Sequence, residues 1–524
     1  MRDEETGPAD LVPLGGHLSL ASAYRVAEGQ SRVALSPEAR HSCQAAHSRL
    51  SKIIEEGRHV YGVTTGFGPL ANRLIEADQG PNLQQNLIHH LATGLGPELG
   101  WSEARLVLLA RLNSIARGLS GASEASISAL EAISNSDLAP ALPSRGTVGA
   151  SGDLTPLAHM VLCLQARGDF LERDGTRVDG RAALKRLGLA PLGLDNRDGL
   201  ALVNGTSAMT GIAVRTAVLS RRAVDWALAL TAGLAECLFA RSEAWHMDFA
   251  SARPHAGQRA ATVALQRCLT GSDWVVVDPI SKEHLSVSGV ETTPLAGQDA
   301  YTLRCAPQVI GAVLDTLDWH DSIVEIELNS VTDNPILPSG YEPPALHGGN
   351  FMGQHVALAS DSLSTALVVL AGFAERQIAR VTDERLNRGL PAFLQGATVG
   401  LNSGLMGAQV TATAILSELR TGGAASIQSI STNGANQDVV SLGTVAARLA
   451  AAKLQGVFEV QAVLALCVAQ AMDLRERGET RAFSGVAQRL RNLVREESGP
   501  LAEDRPLSEE ITRLAKRLSQ QSPP

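Results

Sequence analysis

Four long stretches of small and apolar residues dominate the later part of the chain and restrict the folds open to it. They cover residues 207–245, 306–329, 354–388 and 437–474, and short loops rich in Gly, Pro and Asn separate them. Helices of roughly 25 to 40 residues are far longer than the usual length of about 11–12. Their many Ala and Gly residues allow helix axes to approach toward the lower end of the usual range of about 8–10 Å. The pattern therefore predicts a bundle of long helices.

Size and composition agree with such a bundle. At 524 residues the chain exceeds one typical domain, and its hydrophobic fraction of 44% supplies a sizeable core. Aromatic residues make up only 3%, fewer than an all-β sandwich would be expected to use. We expect an N-terminal lobe over residues 1–206 and a long-helix core over 207–524. Long apolar helices usually need partners to cover them, so a homo-oligomer is expected.

Shorter elements are predicted around this core. Ser36-Pro37 is typical of a helix start, and Gly57 of the end of that helix. Residues 171–200 contain several Gly and Pro, which favours a hairpin or an irregular excursion. Helical spacing of apolar residues predicts further helices over 82–91 and 103–117 and in the charged segment after residue 474.

Several classes of protein are disfavoured. The net charge is −9 without a basic block, so nucleic acid is a poor candidate partner. The six cysteines are scattered with no CxxC pair, which favours buried thiols in a reducing compartment. Residues 1–10 are acidic and lack an apolar signal segment. Asp361 and Glu459 interrupt the two most apolar stretches, so these are interpreted as buried core helices with no membrane partner. We expect a soluble cytoplasmic protein.

A glycine-rich stretch over residues 145–156 precedes a predicted helix. Pro140 and Pro143 prevent a helical approach to it, and its glycines permit a sharply bent backbone. Thr155-Pro156 is typical of an N-cap followed by the first helical residue. A helix N-terminus favours developing negative charge. An ordinary connecting loop would have the same composition, so this stretch alone does not identify a site.

Other chemistry-bearing patterns are weak. Residues 66–71 match the dinucleotide pattern GxGxxA, but proline lies within it and no alternating strand and helix units follow. Ser151 is not in the GxSxG context of a serine hydrolase. No HExxH motif or Cys/His cluster is present, and His89 and His90 point in different directions on a helix, so no catalytic metal is expected.

Six motifs together resemble the aromatic amino acid ammonia-lyase family, from about residue 15 onward. The resemblance implies a mainly α fold of the fumarase/aspartase type, whose N-terminal lobe carries the electrophile described below. The motifs are Tyr-Gly-Val-Thr-Thr-Gly-Phe-Gly at 61–68, Gly-Thr-Val-Gly-Ala-Ser-Gly-Asp-Leu at 146–154, Leu-Val-Asn-Gly-Thr at 202–206, Gln-Asp-Ala-Tyr-Thr-Leu-Arg at 298–304, His-Gly-Gly-Asn-Phe at 347–351 and Asn-Gln-Asp at 436–438.

The family builds its electrophile from Ala-Ser-Gly, which here is Ala150, Ser151 and Gly152. The resemblance implies that the Gly152 nitrogen joins the Ala150 carbonyl carbon while Ser151 loses water. The product is 4-methylidene-imidazole-5-one (MIO), with no external cofactor. Eliminating ammonia from an amino acid requires an electron acceptor, and ordinary side chains supply nucleophiles, acids and bases instead.

The resemblance also implies roles for the other site residues. Tyr61 would be the catalytic base, and Tyr301 would line the site near the amine. Arg304 would bind the substrate carboxylate through a bidentate pair, where a surface salt bridge is the alternative. Each of the remaining residues could instead have only a structural role, because buried polar groups need partners in any protein. These are Asn204, Asn334, Phe351, Asn433 and Gln437.

Two positions bear on the substrate. His90-Leu91 resembles the tyrosine-selective members of the family, because a histidine can form a hydrogen bond with a phenolic hydroxyl. We expect this histidine to be buried, so that phenylalanine would leave it unpaired. Asn436-Gln437 stands where histidine lyases usually carry Gln-Glu, so the carboxylate suited to an imidazole substrate is missing.

The predicted reaction is conversion of L-tyrosine to trans-4-coumarate (p-coumaric acid) and ammonia, with side activity on L-phenylalanine. The alternatives are a phenylalanine ammonia-lyase, a tyrosine 2,3-aminomutase and, from another class, a non-catalytic helical assembly protein. The resemblance further implies a homotetramer whose active sites each gather residues from three subunits.

Overall fold

The structure is a computed structural model of a single chain. It describes residues 10–277, 285–287, 290–292, 298–342, 344–398, 400–477 and 479–524. The acidic segment at the N-terminus therefore lies, up to residue 9, outside the described residues. The predicted mainly helical fold is confirmed.

Helices make up most of the described chain. They are α1 Leu20–Ala27, α2 Pro37–Glu55, α3 Gly80–Leu91, α4 Trp101–Ile115, α5 Glu124–Ser134, α6 Leu154–Leu164, α7 Gly180–Arg186, α8 Asp198–Val203, α9 Ser207–Cys237, α10 Met247–Ala252, α11 Ala256–Cys268, α12 Tyr301–Arg304, α13 Ala306–Leu328, α14 Gln354–Thr382, α15 Met406–Leu419, α16 Gly443–Arg475, α17 Gly485–Glu497 and α18 Ser508–Gln520. Short 3-10 turns are present at Gly68–Leu70, Ala77–Gln79, Ser242–Trp245 and Ala392–Leu394.

The strands are short and form small separate sheets. They are β1 Asp10–Leu14, β2 Ser31–Leu35, β3 Leu95–Glu98, β4 Ala139–Pro140, β5 Pro143–Arg145, β6 Phe170–Leu171, β7 Arg177–Val178, β8 Leu285–Val287 and β9 Val290–Thr292. β1 and β2 pair in parallel, and the antiparallel pairs are β3 with β5, β4 with β6, β6 with β7 and β8 with β9. The β6–β7 hairpin confirms the hairpin interpretation for the start of residues 171–200, but α7 and the first residues of α8 also lie there and were not predicted.

The four long helices predicted from the apolar stretches are present as α9, α13, α14 and α16. By length and composition alone α14 and α16 could cross a membrane, but 56% and 83% of their most apolar windows are buried inside the chain. That burial is what the predicted core helices require. Exposed apolar residues remain on α14, among them Leu358 and Val369.

Local signals placed the shorter helices well. Ser36 caps α2 by accepting a hydrogen bond from the Ala39 N–H at 3.1 Å, and Pro37 occupies the first turn. α3, α4, α17 and α18 occupy the remaining predicted helical segments. α4 is buried on all sides from Ala104 to Ile115, so it is a core helix and not the amphipathic surface helix that its leucine spacing resembles.

The chain forms two compact units, each drawn from three separate ranges. The first contains the described residues up to Val218, His320–Asp361 and Ala424–Ala451; the second contains those of Leu219–Trp319, Ser362–Gly423 and Ala452–Pro524. Helices α9, α13, α14 and α16 contribute residues to both units. The expected division at residues 206 and 207 stays a prediction, because it assumed two continuous segments.

Candidate active site

The loop between β5 and α6 is sharply bent around Ser151. Ser151 has φ +55° and Gly152 φ +75°, both in the left-handed region. The Thr147 hydroxyl donates to the Gly152 carbonyl at 3.2 Å and accepts from the Gly149 N–H at 3.1 Å, which closes the turn. A Cβ at Gly152 would overlap the backbone of Gly205. The position therefore requires glycine for both conformation and space.

The start of α6 differs from the prediction. We expected Thr155 as N-cap and Pro156 as first helical residue, but α6 begins at Leu154 and its N-cap is Asp153. The Asp153 N–H donates to the Gly205 carbonyl at 2.7 Å, which holds residue 153 outside the helix and allows the next residue to begin it. The cap prediction was therefore wrong, because a long-range backbone contact determines where the helix starts.

Two amide side chains bind Ser151. The Asn204 Nδ2 donates to the Ser151 carbonyl oxygen at 3.0 Å, and the Gln437 Nε2 donates to its Oγ at 3.2 Å. Asn204 Oδ1 is buried and has no hydrogen-bond partner among the residues that the structure describes. The structure thus brings Ser151, Asn204 and Gln437 together. The two donors polarise the carbonyl group and hold the hydroxyl group of one serine.

Tyr61 lies in a loop fixed by hydrogen bonds from its own residues. The Gly68 N–H donates to Tyr61 Oη at 2.9 Å, a contact that stabilises negative charge on this oxygen. The Phe67 ring meets the Tyr61 ring edge to face, with centroids 6.3 Å apart. A Cβ built on Gly68 would lie 2.9 Å from Asn433 Nδ2. Asn433 is therefore placed beside the residue that binds the Tyr61 hydroxyl.

The segment that includes Phe351 is connected to the Tyr61 loop through His347. The Tyr61 N–H donates to His347 Nε2 at 3.3 Å, and the Gly348 N–H donates to Asn334 Oδ1 at 2.7 Å. Phe351 is half-buried. Burial, assisted by the charge of Arg197, lowers the pKa of His347, which favours the neutral ring that can accept this bond.

Sequence analysis assigned no role to His347, although the residue lies in a quoted motif. The motif indicated that residues 347–351 matter, but the acceptor role of the ring depends on its distance to a backbone N–H from a loop almost 290 residues earlier.

His90 and Leu91 end helix α3. Leu91 is half-buried, but His90 is exposed, so the expectation of a buried histidine is wrong for the single chain. It failed because His90 lies two residues after the fully buried Ile88, about 200° around helix α3 from it, at the last turn of the helix. His90 Nδ1 lies 3.0 Å from the Asn86 carbonyl oxygen. A carbonyl only accepts, so Nδ1 is the donor in this contact, and Nε2 is the ring nitrogen that is left for another partner.

Tyr301 and Arg304 belong to the second unit, where they form a pair of their own. Tyr301 is 69% exposed, and the Arg304 guanidinium lies 4.7 Å from the centre of the Tyr301 ring. Arg304 Nε is buried and has no hydrogen-bond partner among the described residues. Arg304 also lines a cavity of about 220 Å³ together with Gln308, whose Oε1 is likewise unpaired there. The guanidinium is thus available for an anionic group.

Because the Asp153 carboxylate is buried, we expect the stability of the folded chain to depend on pH. Burial raises the pKa of Asp153 to about 6 from 3.8, although bonds from the Thr444 hydroxyl and the Met209 N–H lower it. The folded chain therefore binds this proton more tightly than the unfolded chain. Stability falls as pH rises from about 4 to 6, by about 3 kcal/mol in total, and the loss persists above pH 6.

Asp153→Asn removes this charge at every pH, and an amide can still accept from Met209 and donate to Thr444. We expect a higher Tm than that of the unmutated chain at pH 8 and a clearly smaller gain at pH 4.5, measured by calorimetry. Asp198→Asn is the matched control. Asp198 accepts from the Ser123 N–H and hydroxyl and from the Asp195 N–H, so its loss should destabilise at both pH values. An equal Tm change for Asp153→Asn at both pH values would contradict the prediction.

Comparison with known proteins adds a family and a fold. The family model for "Aromatic amino acid lyase" matches residues 18–496. The chain is 60% identical to the tyrosine ammonia-lyase of Cereibacter sphaeroides, covering 98% of this chain and 99% of the relative. It is 39% identical to a histidine ammonia-lyase of Symbiobacterium thermophilum, over 97% and 96% of the two chains. A crystal structure of tyrosine aminomutase from Streptomyces globisporus superposes with a TM-score of 0.91 at 35% identity, covering 97% of each chain.

Proposed function

The chain belongs to the aromatic amino acid lyase family, and from this premise we propose that it eliminates ammonia from L-tyrosine to give trans-4-coumarate. A carbon–nitrogen lyase of this kind needs an electrophile, a base and an anchor for the substrate carboxylate. The observation that carries the proposal is the pair of amide donors, Asn204 and Gln437, directed at the two oxygens of Ser151.

The residues around Ser151 fit an MIO group made from Ala150, Ser151 and Gly152. The left-handed turn at Ser151 favours ring closure, and position 152 admits only glycine because a Cβ there would overlap Gly205. The unpaired Asn204 Oδ1 leaves an acceptor beside the turn. When formed, MIO supplies the electrophile that no ordinary side chain offers. Asn204 would keep its bond to the residue 151 carbonyl. Gln437 would hold the serine hydroxyl that leaves as water.

Tyr61 would take the β-proton of the substrate. Its oxygen is stabilised by the Gly68 N–H, and its backbone is fixed through His347, so it can hold the proton at a defined position. Asn334, Phe351 and Asn433 would complete the wall of the pocket around it. The structural support is that their segments are linked to the Tyr61 loop by the contacts described above.

Arg304 would bind the substrate carboxylate, with Tyr301 beside the amine. An unpaired buried Nε and a ring stacked below the guanidinium leave the guanidinium edge available for a carboxylate. We propose that the working enzyme is a cytoplasmic homotetramer, in which each site gathers residues from three subunits. The high exposure of Tyr301 and the uncovered apolar residues of α14 support such an assembly.

Product analysis tests the proposal. The chain is incubated separately with L-tyrosine, L-phenylalanine and L-histidine, and the products are separated and identified. We expect 4-coumarate from tyrosine, less cinnamate from phenylalanine and no urocanate. β-Tyrosine as the main product would show an aminomutase instead. Absence of any product, together with an intact mass that has not fallen by two water molecules, would favour a non-catalytic helical protein.

His90 is proposed to select tyrosine by accepting the phenolic O–H at Nε2. His90→Phe should raise the preference for phenylalanine over tyrosine, as the ratio of the two kcat/KM values, by about 10- to 100-fold because the acceptor of the phenolic O–H is replaced by a ring that packs against an unsubstituted one. His89→Phe is the control: His89 Nε2 contacts Arg167 and Gln85, at 2.7 and 2.9 Å, and the substitution should leave the preference unchanged. Equal ratios in His90→Phe and the unmutated chain would remove the substrate argument.

A further inference from the structure

The Arg111 side chain contacts the backbone of Asn204. It is on the core helix α4 and fully buried. Its NH1 donates to the Asn204 carbonyl oxygen at 2.6 Å, and its NH2 lies 3.4 Å from Ser114 Oγ. The side chain of the same Asn204 donates to the Ser151 carbonyl. Asn204 therefore links Arg111 to the Ser151 peptide. Its backbone carbonyl accepts a hydrogen bond from Arg111, and its side chain donates one to the Ser151 carbonyl oxygen.

Gly205 makes this approach possible. Its φ is +149°, and a Cβ there would overlap Arg111 NH1 and lie 2.6 Å from Thr332 Oγ1. Its carbonyl oxygen accepts the Asp153 N–H. The Asn204-Gly205 pair thus meets the guanidinium on one side and the Ser151–Asp153 turn on the other.

No carboxylate forms a salt bridge with Arg111 alone among the residues that the structure describes. The charged groups that act on it are Asp333, which raises the pKa of Arg111, and Arg197, which lowers it, while burial lowers it most. Asp333 is already paired with Arg197 at 3.1 Å, and both of these side chains are fully buried. Two guanidinium groups therefore share one carboxylate, which leaves a net positive charge. An arginine stays protonated even when buried.

A buried charge without a partner is costly, so a purely structural role is a poor explanation of this arrangement. Arg105, on the same helix, illustrates the structural role. It is also buried, and it donates to the carbonyl groups of Ala27, Leu138, Val26 and Ser134 at 2.6 to 3.1 Å. Arg111 makes only one short bond, and its Nε has no partner among the described residues.

We propose that Arg111 is a positioning residue that holds Asn204 against the Ser151 carbonyl and places an unneutralised positive charge behind that carbonyl. This inference rests on the proposed function, in which polarisation of the Ser151 carbonyl makes the dehydrated residue electrophilic. A fixed charge in a buried site acts strongly on such a group because little solvent screens it. The same polarisation makes the Ser151 Cα–H more acidic, and loss of this proton accompanies departure of the hydroxyl group as water, so the rate of dehydration should also respond.

Two variants separate charge from hydrogen bonding. Arg111→Lys keeps the charge, and Arg111→Gln keeps an amide donor without it. Arg105→Lys and Arg105→Gln are the matched controls, from the same helix and with equal burial. For each purified full-length variant we would measure the fraction of chains that has lost two water molecules, by intact mass at fixed times after synthesis. We would also measure kcat and KM with the substrate that the unmutated chain turns over best, and Tm.

We expect Arg111→Gln to lower kcat by about 100-fold and Arg111→Lys by about 10-fold, with KM within about twofold of the unmutated value. Dehydration should be slower in Arg111→Gln than in Arg111→Lys. The Arg105 variants should lower Tm but leave kcat and the dehydrated fraction of folded chains unchanged.

Two results would overturn the inference. One is an Arg111→Gln variant whose kcat and dehydration rate are no lower than those of Arg111→Lys, because the charge would then have no effect; where Arg111→Gln does not fold, the same comparison is made with Arg111→Met. The other is a loss of kcat in the Arg105 variants equal to that in the Arg111 variants. An unmutated chain that never loses water would instead refute the proposed function, and the two failures are therefore distinguishable.

Discussion

Ser151→Ala is expected to give a folded chain whose kcat is lower by about three orders of magnitude or more, because the hydroxyl group whose loss creates the electrophile is missing. No other residue in the loop carries a hydroxyl at the position that Gln437 binds. Alanine retains the Cβ that serine already places in the left-handed region, so the turn itself gains no new clash. The measurements are turnover of L-tyrosine, Tm and intact mass.

Ser144→Ala is the matched control for this substitution. Ser144 is buried, whereas Ser151 is half-buried; it lies seven residues earlier, and its Oγ has no hydrogen-bond partner within the described part of the chain. Its removal should leave kcat and the loss of two waters unchanged. The mechanism would be overturned if the Ser151→Ala chain retained more than a tenth of the activity of the unmutated chain with any of the amino acid substrates tested.

Tyr61→Phe should have the second largest effect, a fall in kcat of about 1,000-fold, near the middle of the range of about 10²–10⁴ that a positioned base contributes. The ring and its contact with Phe67 are kept, so only the oxygen bonded by Gly68 is lost. Intact mass should still be lower by two water molecules, since the proposal gives Tyr61 no part in the cyclisation. This outcome separates loss of the base from loss of the electrophile.

Two further tyrosine variants are measured alongside Tyr61→Phe. Tyr341→Phe, at an exposed position, should leave kcat unchanged. Tyr301→Phe reports on the division of labour between the two site tyrosines. If Tyr301→Phe lowered kcat as expected for the base while Tyr61→Phe did not, the proton would have to be assigned to Tyr301.

The long helices were predictable because their signal is repeated over more than twenty residues. α9 and α16, for example, are apolar over most of their length, and no local contact can outweigh that pattern. The start of α6 was not predictable, because the bond from Asp153 to Gly205 that sets it joins residues about fifty positions apart. The discontinuous units are unpredictable for the same reason.

The same distinction applies to the candidate site, where residues in motifs could be predicted and residues defined by long-range contacts could not. Motifs indicated Ser151, Asn204 and Gln437, and the structure brings these three together. The exposure of His90 was missed, because the apolar spacing of α3 does not reveal which face other elements cover. Arg111 was missed because an arginine in an apolar helix is usually interpreted as partly exposed, with its charged end in water. Its importance depends on Asn204, almost a hundred residues later.

The contacts of the Ser151 loop also bear on how the chain is made. Gln437 binds Ser151, the Leu442 N–H donates to the Val148 carbonyl at 2.9 Å, and the Thr444 hydroxyl binds Asp153. A growing chain on the ribosome presents the loop nearly 300 residues before these partners emerge. If the proposed backbone cyclisation depends on these contacts, it has to wait until residues 437–444 have been made. A product truncated before residue 437 would lack them, and we expect it to keep an unmodified Ala150-Ser151-Gly152 sequence.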